Sequence, residues 1–562
     1  MLARLLTLAA VALPAPALGQ GLVMVLRPNA GPFGGSALAP VGDVDGDGVP
    51  DIAIGSAGFI NGAVGSVTVF SGRTNEELYR PFIHPDNFSA GLTLANLGDL
   101  DGDGLSDLAA GDELWGNFDE RRGAVTLTQG GTGNLIELLV GDASLELFGW
   151  SVDRVPDVDM DGIADLAVGA PGADVGARDA GAAILYSGST RQRLWRIEGT
   201  DTDGALGYVV RGIEDVDGDG RGDVVVSAPG AAASTGEPGA GRVLILSGAS
   251  GAVVRSFDGA APDESFGRAL AVLDDADGDG LQDVLVGSPF ASNGALSTGR
   301  VDVLSSATGV AIRSFAGVEA GESVGQHVGE AGDLDGDGAM DFAFVRRLDG
   351  FGFTEAQCVA VSGATGAVLF RTSSSHFDAD RRPITSVGDL GGDGIDDLVL
   401  GDPRDGRVRV YQTGDRPSGS ICEGQPNSRY PGGAELQALS PSEFRVDTND
   451  IVFRCVTLPS LTTGYLLVST TVGFVPGVGG SEGNLCIAGP PFGRYANDIL
   501  DLATGSFLFP IDNSAIPISG APGGTVQALP GDTFYFQFWY RDVSASGAPT
   551  SNLSSALAIT YR

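Results

Sequence analysis

A nine-residue acidic motif recurs seven times along this chain of 562 residues, and six of the seven copies read D-x-D-x-D-G-x-x-D. The copies begin at Asp43, Asp99, Asp157, Asp215, Asp275, Asp333 and Asp389, separated by 56, 58, 58, 60, 58 and 56 residues. So regular a spacing indicates one supersecondary unit repeated in tandem, because a single unit cannot bury its own hydrophobic face. The repeat therefore constrains the fold more than any other feature.

Each copy has the composition of a calcium-binding loop. Three carboxylates at alternate positions can converge on one ion if the chain wraps around it, and the glycine at position six permits the positive φ that the wrap requires. In the first copy Asp43, Asp45, Asp47 and Asp51 would supply side-chain oxygens and Val49 a backbone carbonyl. This set of hard oxygen ligands fits Ca²⁺ better than Mg²⁺, which keeps more of its water.

The same positions supply the predicted ligands of the other six loops. They are Asp99, Asp101, Asp103, Leu105 and Asp107; Asp157, Asp159, Asp161, Ile163 and Asp165; Asp215, Asp217, Asp219, Arg221 and Asp223; Asp275, Asp277, Asp279, Leu281 and Asp283; Asp333, Asp335, Asp337, Ala339 and Asp341; and Asp389, Asp393, Ile395 and Asp397. In the seventh loop Gly391 replaces the carboxylate at position three. Up to seven structural Ca²⁺ ions are expected, with the seventh site weak or empty.

An EF-hand is the competing interpretation, and position twelve argues against it. An EF-hand carries a bidentate Glu there, whereas this chain carries apolar residues, from Ile54 in the first copy to Leu400 in the seventh. Each motif runs into a short apolar segment such as DLAVG at 165–169, which is typical of a buried strand. Acidic hairpins that hold no metal are the alternative to the calcium loops.

Each repeat except the seventh contains four strand signals. In the fifth repeat they are RALAVL at 268–273, DVLVGSP at 283–289, GRVDVLSS at 299–306 and VAIRSF at 310–315. Seven four-stranded units predict an all-β fold with a seven-bladed β-propeller. The seventh repeat ends after its third strand, so the N-terminal strand before Phe33 is predicted to complete that blade and leave no open edge.

The repeats resemble the FG-GAP repeats of the integrin α-subunit propeller and its secreted bacterial relatives. The resemblance covers roughly residues 20 to 418. It is carried by the acidic loops and by Phe33-Gly34, Phe148-Gly149, Phe266-Gly267, Gly169-Ala170-Pro171, Ser227-Ala228-Pro229 and Gly287-Ser288-Pro289. Leu206-Gly207 and Val324-Gly325 depart from the Phe-Gly pattern.

This resemblance implies a calcium-binding, binding or adhesion module with an extracellular protein or glycan as its ligand. It places the ligand on the rim opposite the calcium loops, in segments such as Asp112 to Gly123, with Trp115 and Phe118, Gly172 to Gly181, and Gly230 to Gly241. Two other functions stay open. One is a carbohydrate-active enzyme, a polysaccharide lyase or hydrolase, and the other is a structural component of a matrix or surface layer.

Four segments are predicted along the chain. Residues 1–19 form a secretory signal peptide cleaved near Gly19, 20–418 the propeller, 419–432 a linker, and 433–562 a smaller β-sandwich-like domain. The signal predicts a secreted or cell-surface protein, and the resemblance implies a bacterial one. The run Thr533 to Tyr540 carries large aromatic residues on both faces, as an interior strand would.

Charge and composition exclude several functions. The net charge of −39 excludes nucleic acid as a partner, and no stretch after the signal is long and apolar enough to span a bilayer. The chain has no Lys, so its 33 basic residues are all Arg, and mechanisms that need a lysine amine are absent. His84, His327 and His376 are expected on loops or the surface. No catalytic residue is predicted, and the chain is not expected to be an enzyme.

Two further motifs receive structural interpretations. Arg221-Gly222-Asp223 spells an integrin-recognition tripeptide but lies inside the fourth loop, where Asp223 should be unable to protrude. Cys358 replaces an apolar strand residue and is expected to be buried. One disulfide is expected among Cys422, Cys455 and Cys486, with Cys422 to Cys486 preferred and three reduced thiols as the alternative.

Overall fold

The computed structural model describes residues 20–26, 34–58, 65–83, 89–116, 120–292, 297–350, 353–374, 383–390, 394–403, 407–413, 420–422 and 435–439, and separate strands between Val452 and Thr560. These residues divide into two compact units, one spanning 20–416 and the other formed mainly by 417–438 and 445–562. All regular secondary structure within them is β-strand. Accordingly, no membrane-spanning helix occurs in the described part of the chain.

Residues 20–416 form a seven-bladed β-propeller in which each blade is a four-stranded antiparallel sheet. The chain enters through β1 (Gln20–Leu26), which belongs to blade 7. Blade 1 contains β2 (Gly34–Gly42), β3 (Asp51–Ser56), β4 (Ser66–Phe70) and β5 (Glu77–Tyr79). Blade 2 contains β6 (Thr93–Gly98), β7 (Asp107–Asp112), β8 (Ala124–Thr128) and β9 (Leu135–Val140). Blade 3 contains β10 (Ser151–Val155), β11 (Asp165–Ala170), β12 (Ala182–Tyr186) and β13 (Arg193–Glu198).

The remaining blades repeat this order. Blade 4 contains β14 (Val210–Ile213), β15 (Asp223–Ala228), β16 (Arg242–Leu246) and β17 (Val253–Asp258). Blade 5 contains β18 (Ala269–Leu273), β19 (Asp283–Ser288), β20 (Arg300–Leu304) and β21 (Ala311–Ala316). Blade 6 contains β22 (Val328–Gly332), β23 (Asp341–Gly350), β24 (Phe353–Val361) and β25 (Val368–Ser374). Blade 7 adds β26 (Ile384–Ser386), β27 (Leu398–Asp402) and β28 (Arg407–Thr413).

Blade 7 joins the two ends of the propeller, as predicted. Strand β1 pairs antiparallel with β28, from Gln20 opposite Thr413 to Leu26 opposite Val408, and the sheet order is β1-β28-β27-β26. The ring therefore closes by hydrogen bonding between its first and last strands, and neither is left as an open edge at this point.

The second strand of each repeat carries the core. Every residue of β11 is buried, as are those of β7, β15 and β19. Apolar side chains from adjacent blades pack into shared clusters, such as Leu38 and Ile54 of blade 1 against Val399 and Val410 of blade 7. The apolar residues at position twelve lie in these strands, and this excludes the exiting helix of an EF-hand. Cys358 is buried on β24, as expected.

The second unit is also built of strands. Its larger sheet has the order β29-β41-β40-β32-β35, where β29 is Ser420–Cys422, β32 is Thr462–Ser469, β35 is Phe492–Arg494, β40 is Thr533–Val543 and β41 is Pro549–Thr560. Strand β40 thus lies inside the sheet, as its aromatic sequence predicts. A smaller sheet contains β30 (Glu435–Leu439), β31 (Val452–Val456) and β37 (Phe507–Pro510). The sandwich arrangement and the domain boundaries stay predictions, and the signal segment and the side chains of the three C-terminal cysteines lie outside the described residues.

Candidate metal centres in the blade loops

The aspartate at position one organises each acidic loop, which joins the first and second strands of its blade. In the fourth loop Oδ1 of Asp215 accepts hydrogen bonds from the amides of Gly218 (2.7 Å) and Asp219 (3.1 Å), and Oδ2 accepts one from Gly220 (2.6 Å). The bond from position six is present in all seven loops. The glycine there has the predicted positive φ, between 84° and 92° in all seven.

These amide hydrogen bonds stabilise the ionised carboxylate. They lower the pKa of the position-one carboxyl in three loops, namely those of Asp43, Asp99 and Asp275. The chain itself therefore keeps a negative charge at the centre of the loop, where a cation would be bound.

The aspartate at position nine is buried and fully hydrogen-bonded. Oδ2 of Asp223 accepts the amide of Val216 (2.9 Å) within the loop, and Oδ1 accepts the amide of Gly248 (2.9 Å) from the turn between the third and fourth strands. Six loops share both bonds. Position nine thus ties the loop to the neighbouring hairpin of its own blade, a role that the sequence pattern did not reveal. The buried Asp223 is also unable to protrude as an adhesion tripeptide would require.

Burial makes the charge at position nine unfavourable when no cation is nearby. It raises the pKa of Asp165 and Asp283 to about 6 and that of Asp341 to about 7, because desolvation penalises the ionised form more than the two amide donors favour it. Neighbouring loop carboxylates add to the rise. A divalent cation would relieve both effects.

The loop carboxylates converge closely enough to hold a metal. Oxygens of positions one, three and nine lie within 4.8 Å of one another in four loops, in the clusters Asp43, Asp45, Asp51; Asp99, Asp101, Asp107; Asp157, Asp159, Asp165; and Asp215, Asp217, Asp223. In the fifth loop the cluster is Asp275, Asp277 and Asp279. In the third loop Oδ1 of Asp159 is buried without a hydrogen-bond partner among the described residues. An orphaned carboxylate oxygen fits a hard cation such as Ca²⁺.

Positions five and seven are linked through the backbone. Oδ1 of Asp219 accepts the amide of Arg221 (2.9 Å), and the same bond occurs in five other loops. Metal ligation by the position-seven carbonyls stays a prediction, as does the full ligand set of each loop.

The seventh loop keeps two of the common hydrogen bonds although it lacks one carboxylate. Asp389 accepts the amide of Gly394 (2.7 Å), and Asp397 accepts that of Leu390 (2.9 Å). Asp393 lies outside the described residues. The loop frame is therefore set by positions one and nine and does not need the carboxylate at position three.

Comparison with known proteins identifies three of the same repeats. The FG-GAP repeat model matches residues 148–186, 206–246 and 266–304, each from the Phe-Gly position to the end of the third strand of its blade. Integrin alpha-PS2 of Drosophila melanogaster is 32% identical over 212 residues, which cover 34% of this chain and 14% of the relative. The chain contains FG-GAP repeats and is similar, over this part, to integrin α-subunits.

Other integrin α-subunits match over shorter stretches. Integrin alpha-V of Gallus gallus is 30% identical over 147 residues and integrin alpha-4 of Xenopus laevis 32% over 155, in each case covering 25% of this chain and 14% of the relative. The chain thus spans only a small part of the length of these relatives.

Close packing between blades requires glycine at the second position of the Phe-Gly motif. Gly149 has φ of 85°, and its carbonyl oxygen lies so close to Gly111 of the preceding blade that a Cβ on Gly111 would sit 2.1 Å from it. Neither residue tolerates a side chain, so consecutive blades of the FG-GAP propeller meet glycine against glycine. Leu206 and Val324, which replace Phe in two repeats, are buried like Phe148.

Side chains from the turn between the third and fourth strands also contact the acidic loop of their own blade. Nε of Arg73 lies 3.1 Å from Oδ2 of Asp47 in the first loop, and the Gln129 amide donates to Asp101 in the second (2.5 Å). Ser189 donates to a position-five carboxylate in the third loop. These contacts differ between blades, so the repeat pattern gave no signal for them.

Charged groups also gather in the central channel of the FG-GAP propeller, a cavity of about 470 Å³ lined by the first strands of the blades. Asp153, Arg211 and Glu330 come from blades 3, 4 and 6. His327 lines the same cavity from the bend just before β22, a loop position as expected, whereas His84 and His376 lie outside the described residues. Ring closure brings the inner strands together, which spacing along the chain does not show.

One end of this channel carries a row of two aromatic side chains and an arginine in contact. The rings of Trp150 and Tyr208 lie 5.3 Å apart, and the guanidinium of Arg268 lies 4.6 Å from the centre of the Tyr208 ring. All three residues follow the Phe-Gly position of their repeats, and this end is therefore opposite the acidic loops.

Proposed function

We propose that this chain is an extracellular binding module, with structural Ca²⁺ in its blade loops and a ligand site for a protein or glycan on the opposite rim. The likeness to integrin α-subunits supports a surface or secreted location, as does the signal-like N-terminal sequence. No catalytic role is proposed for the loop carboxylates, because the backbone amides and the metal would occupy them.

The calcium role is supported by the seven loops, whose carboxylates are already held in place by the chain. A bound ion would offset the repulsion among those carboxylates and the unfavourable burial of position nine, so removing it should loosen the blades. Elemental analysis of the purified chain should find six or seven Ca²⁺ per molecule, since the seventh loop lacks one ligand. Excess chelator should lower the melting temperature by more than about 10 °C. Fewer than two ions and unchanged melting would contradict the calcium assignment.

One observation carries the binding role. Large apolar side chains are exposed in loops between the second and third strands and between blades, which lie at the end opposite the acidic loops. They are Leu145, Val175, Phe290 and Val318. Exposed apolar side chains in such loops can supply the contacts of a recognition surface. Loops of varied sequence on a rigid scaffold are a common way to present such a surface.

The test combines a ligand screen with matched variants. A panel of extracellular proteins and glycans is screened with the full chain, and each hit is measured again with F290S and V318S. These changes should weaken binding at least tenfold, while V253S, which alters an exposed residue of the outer strand β17, should leave it unchanged. Equal loss in V253S, or binding that survives all three changes, would contradict a site on this rim.

A further inference from the structure

Among the loops that the structure describes, the first differs because an arginine forms an ion pair with one of its carboxylates. Nε of Arg73 lies 3.1 Å from Oδ2 of Asp47, and Nη2 donates a hydrogen bond of 2.7 Å to the backbone carbonyl of Asp47. The guanidinium also lies against Gly48, where a Cβ would be 4.0 Å from Nη2, and its charge contributes to the lowered pKa of Asp43. A fixed positive charge therefore sits beside the carboxylates that would bind the ion.

Arg73 contacts the oxygen of Asp47 whose equivalent has no hydrogen-bond partner in four other loops. Oδ1 of Asp47 accepts the amide of Val49 (2.9 Å), so both of its oxygens have partners. In the second, fourth, fifth and sixth loops only Oδ1 of position five is hydrogen-bonded among the described residues. The carboxylates concerned are Asp103, Asp219, Asp279 and Asp337.

The residue equivalent to Arg73 follows the hairpin residue that donates to position nine. In the other blades with that bond it is Gly131, Ser189, Ala249, Ala307 and Ala364. None of these carries a charge. The arginine is thus a feature of blade 1 and not of the repeat.

A guanidinium stays protonated in proteins, so Arg73 competes with a divalent ion for the same carboxylate and repels it. We propose that Arg73 is a built-in cation of the first loop that weakens Ca²⁺ binding there and holds the loop folded when Ca²⁺ is absent. This inference rests on the proposed calcium binding of the loops. Because Arg73 is more than half exposed, water and salt screen its charge, and we expect a reduction in affinity on the order of tenfold and not abolition.

The position of blade 1 gives this difference a structural consequence. Blade 1 packs directly against blade 7, through Ile52 and Phe70 on one side and Val387 and Val408 on the other. The seventh loop lacks the carboxylate at position three, where it has Gly391. The two loops that flank the closure of the ring are therefore those that depend least on Ca²⁺, and the closure should survive calcium concentrations that loosen blades 2 to 6.

Hydrogen exchange measured by mass spectrometry can follow each loop of the full chain during a Ca²⁺ titration. Peptides covering 43–51 and 215–223 report the first and fourth loops. In the wild type, the further protection that Ca²⁺ adds to the first loop should be smaller than in the fourth loop, and its midpoint should lie at a Ca²⁺ concentration on the order of tenfold higher. In R73Q, which keeps a hydrogen-bonding side chain without the charge, the two midpoints should coincide. In A249R the fourth loop should take on the weak binding of the first.

The chelated protein provides a second readout. There the first loop of the wild type should exchange more slowly than the fourth, and R73Q should remove that difference. Equal midpoints in a wild type that binds calcium, or midpoints that neither variant moves, would overturn this inference and leave the proposed function intact. Absence of bound calcium from every loop would overturn the proposed function as well, so the two failures are distinct. Melting curves of both variants check that they fold.

Discussion

The blade loops and the central channel both contain carboxylates, but their surroundings stabilise the negative charge to different extents. In the loops the backbone surrounds each charge, as at Asp223, whose two oxygens accept the amides of Val216 and Gly248. In the channel the Asp153 carboxylate accepts the amide of Gly212 (2.9 Å), and the Glu330 carboxylate makes no hydrogen bond or ion pair with the described residues. The backbone therefore holds the carboxylates of the loops, whereas it does not hold that of Glu330.

This difference appears in the electrostatics of the channel. Glu330 is surrounded by protein although water reaches it through the cavity, and this burial raises the pKa of its carboxyl to about 7. Repulsion from Asp153 raises it further, and attraction to Arg211 opposes the rise. Position-nine loop carboxylates reach similar pKa values for the same reason, but there the two amides hold the group in place.

The largest expected effect would come from removing a loop carboxylate that the backbone depends on. D223A should destabilise the propeller by about 3 kcal/mol even in chelator, because it leaves two amide donors without their acceptor in a buried site. The control D217A removes an exposed carboxylate of the same loop and should change the free energy of unfolding in chelator by less than about 0.5 kcal/mol. Chemical denaturation measures both. Equal effects would show that the loops depend on metal alone.

A smaller effect on stability, of opposite sign, is expected when the Glu330 carboxylate in the channel is removed, because no hydrogen bond or ion pair with the described residues offsets its burial. The raised pKa of Glu330 means that the folded state keeps a proton which the unfolded chain loses from about pH 4.3 upwards. Stability from this group is full below that pH and is lost as the pH rises through 7. E330Q should therefore be more stable than the wild type at pH 8, by about 1 kcal/mol after allowance for screening by water in the channel.

The two proteins should differ little near pH 4, where Glu330 is protonated in both states. Denaturation curves at several pH values test this prediction. E319Q changes an exposed glutamate and serves as the control, with no pH-dependent gain. A destabilised E330Q at pH 8 would mean that the channel carboxylate is balanced after all.

A still smaller effect on stability is expected from substitutions at position four of the acidic loops. Met160 stands where five other loops have glycine of positive φ, and its own φ is 65°. M160G should stabilise the propeller by about 0.5 kcal/mol, because relief of backbone strain exceeds the added entropy of the unfolded chain. The reciprocal change G218A should destabilise by about 1 kcal/mol. Thermal melting of both variants gives the sign, and a less stable M160G would show that the Met160 side chain makes a contact worth the strain.

The smallest effect is expected for a contact that only one blade has. Ser189 donates to Asp161 in the third loop at the exposed surface. S189A should change the free energy of unfolding by less than about 0.5 kcal/mol, since water replaces the lost donor. A change above about 1 kcal/mol would place such side chains among the determinants of the loop.

The amino-acid sequence by itself determined the features that repeat. The spacing of the motifs predicts seven blades, the glycine at position six predicts the loop conformation, and the short seventh repeat predicts closure by β1. All three are confirmed, because each depends on a local pattern that seven copies make unambiguous. The likeness of the repeats to integrin α-subunits could also be read from the residues of the motif.

Only the tertiary structure revealed which segments that are far apart in sequence contact one another. Hydrogen bonds from the hairpin turn to position nine, the contact of Arg73 with Asp47, and the meeting of Asp153, Arg211 and Glu330 join segments that are far apart in sequence or vary between blades. The repeat determines which strands form, whereas ring closure determines which side chains meet at the centre, and that depends on the packing of all seven blades at once.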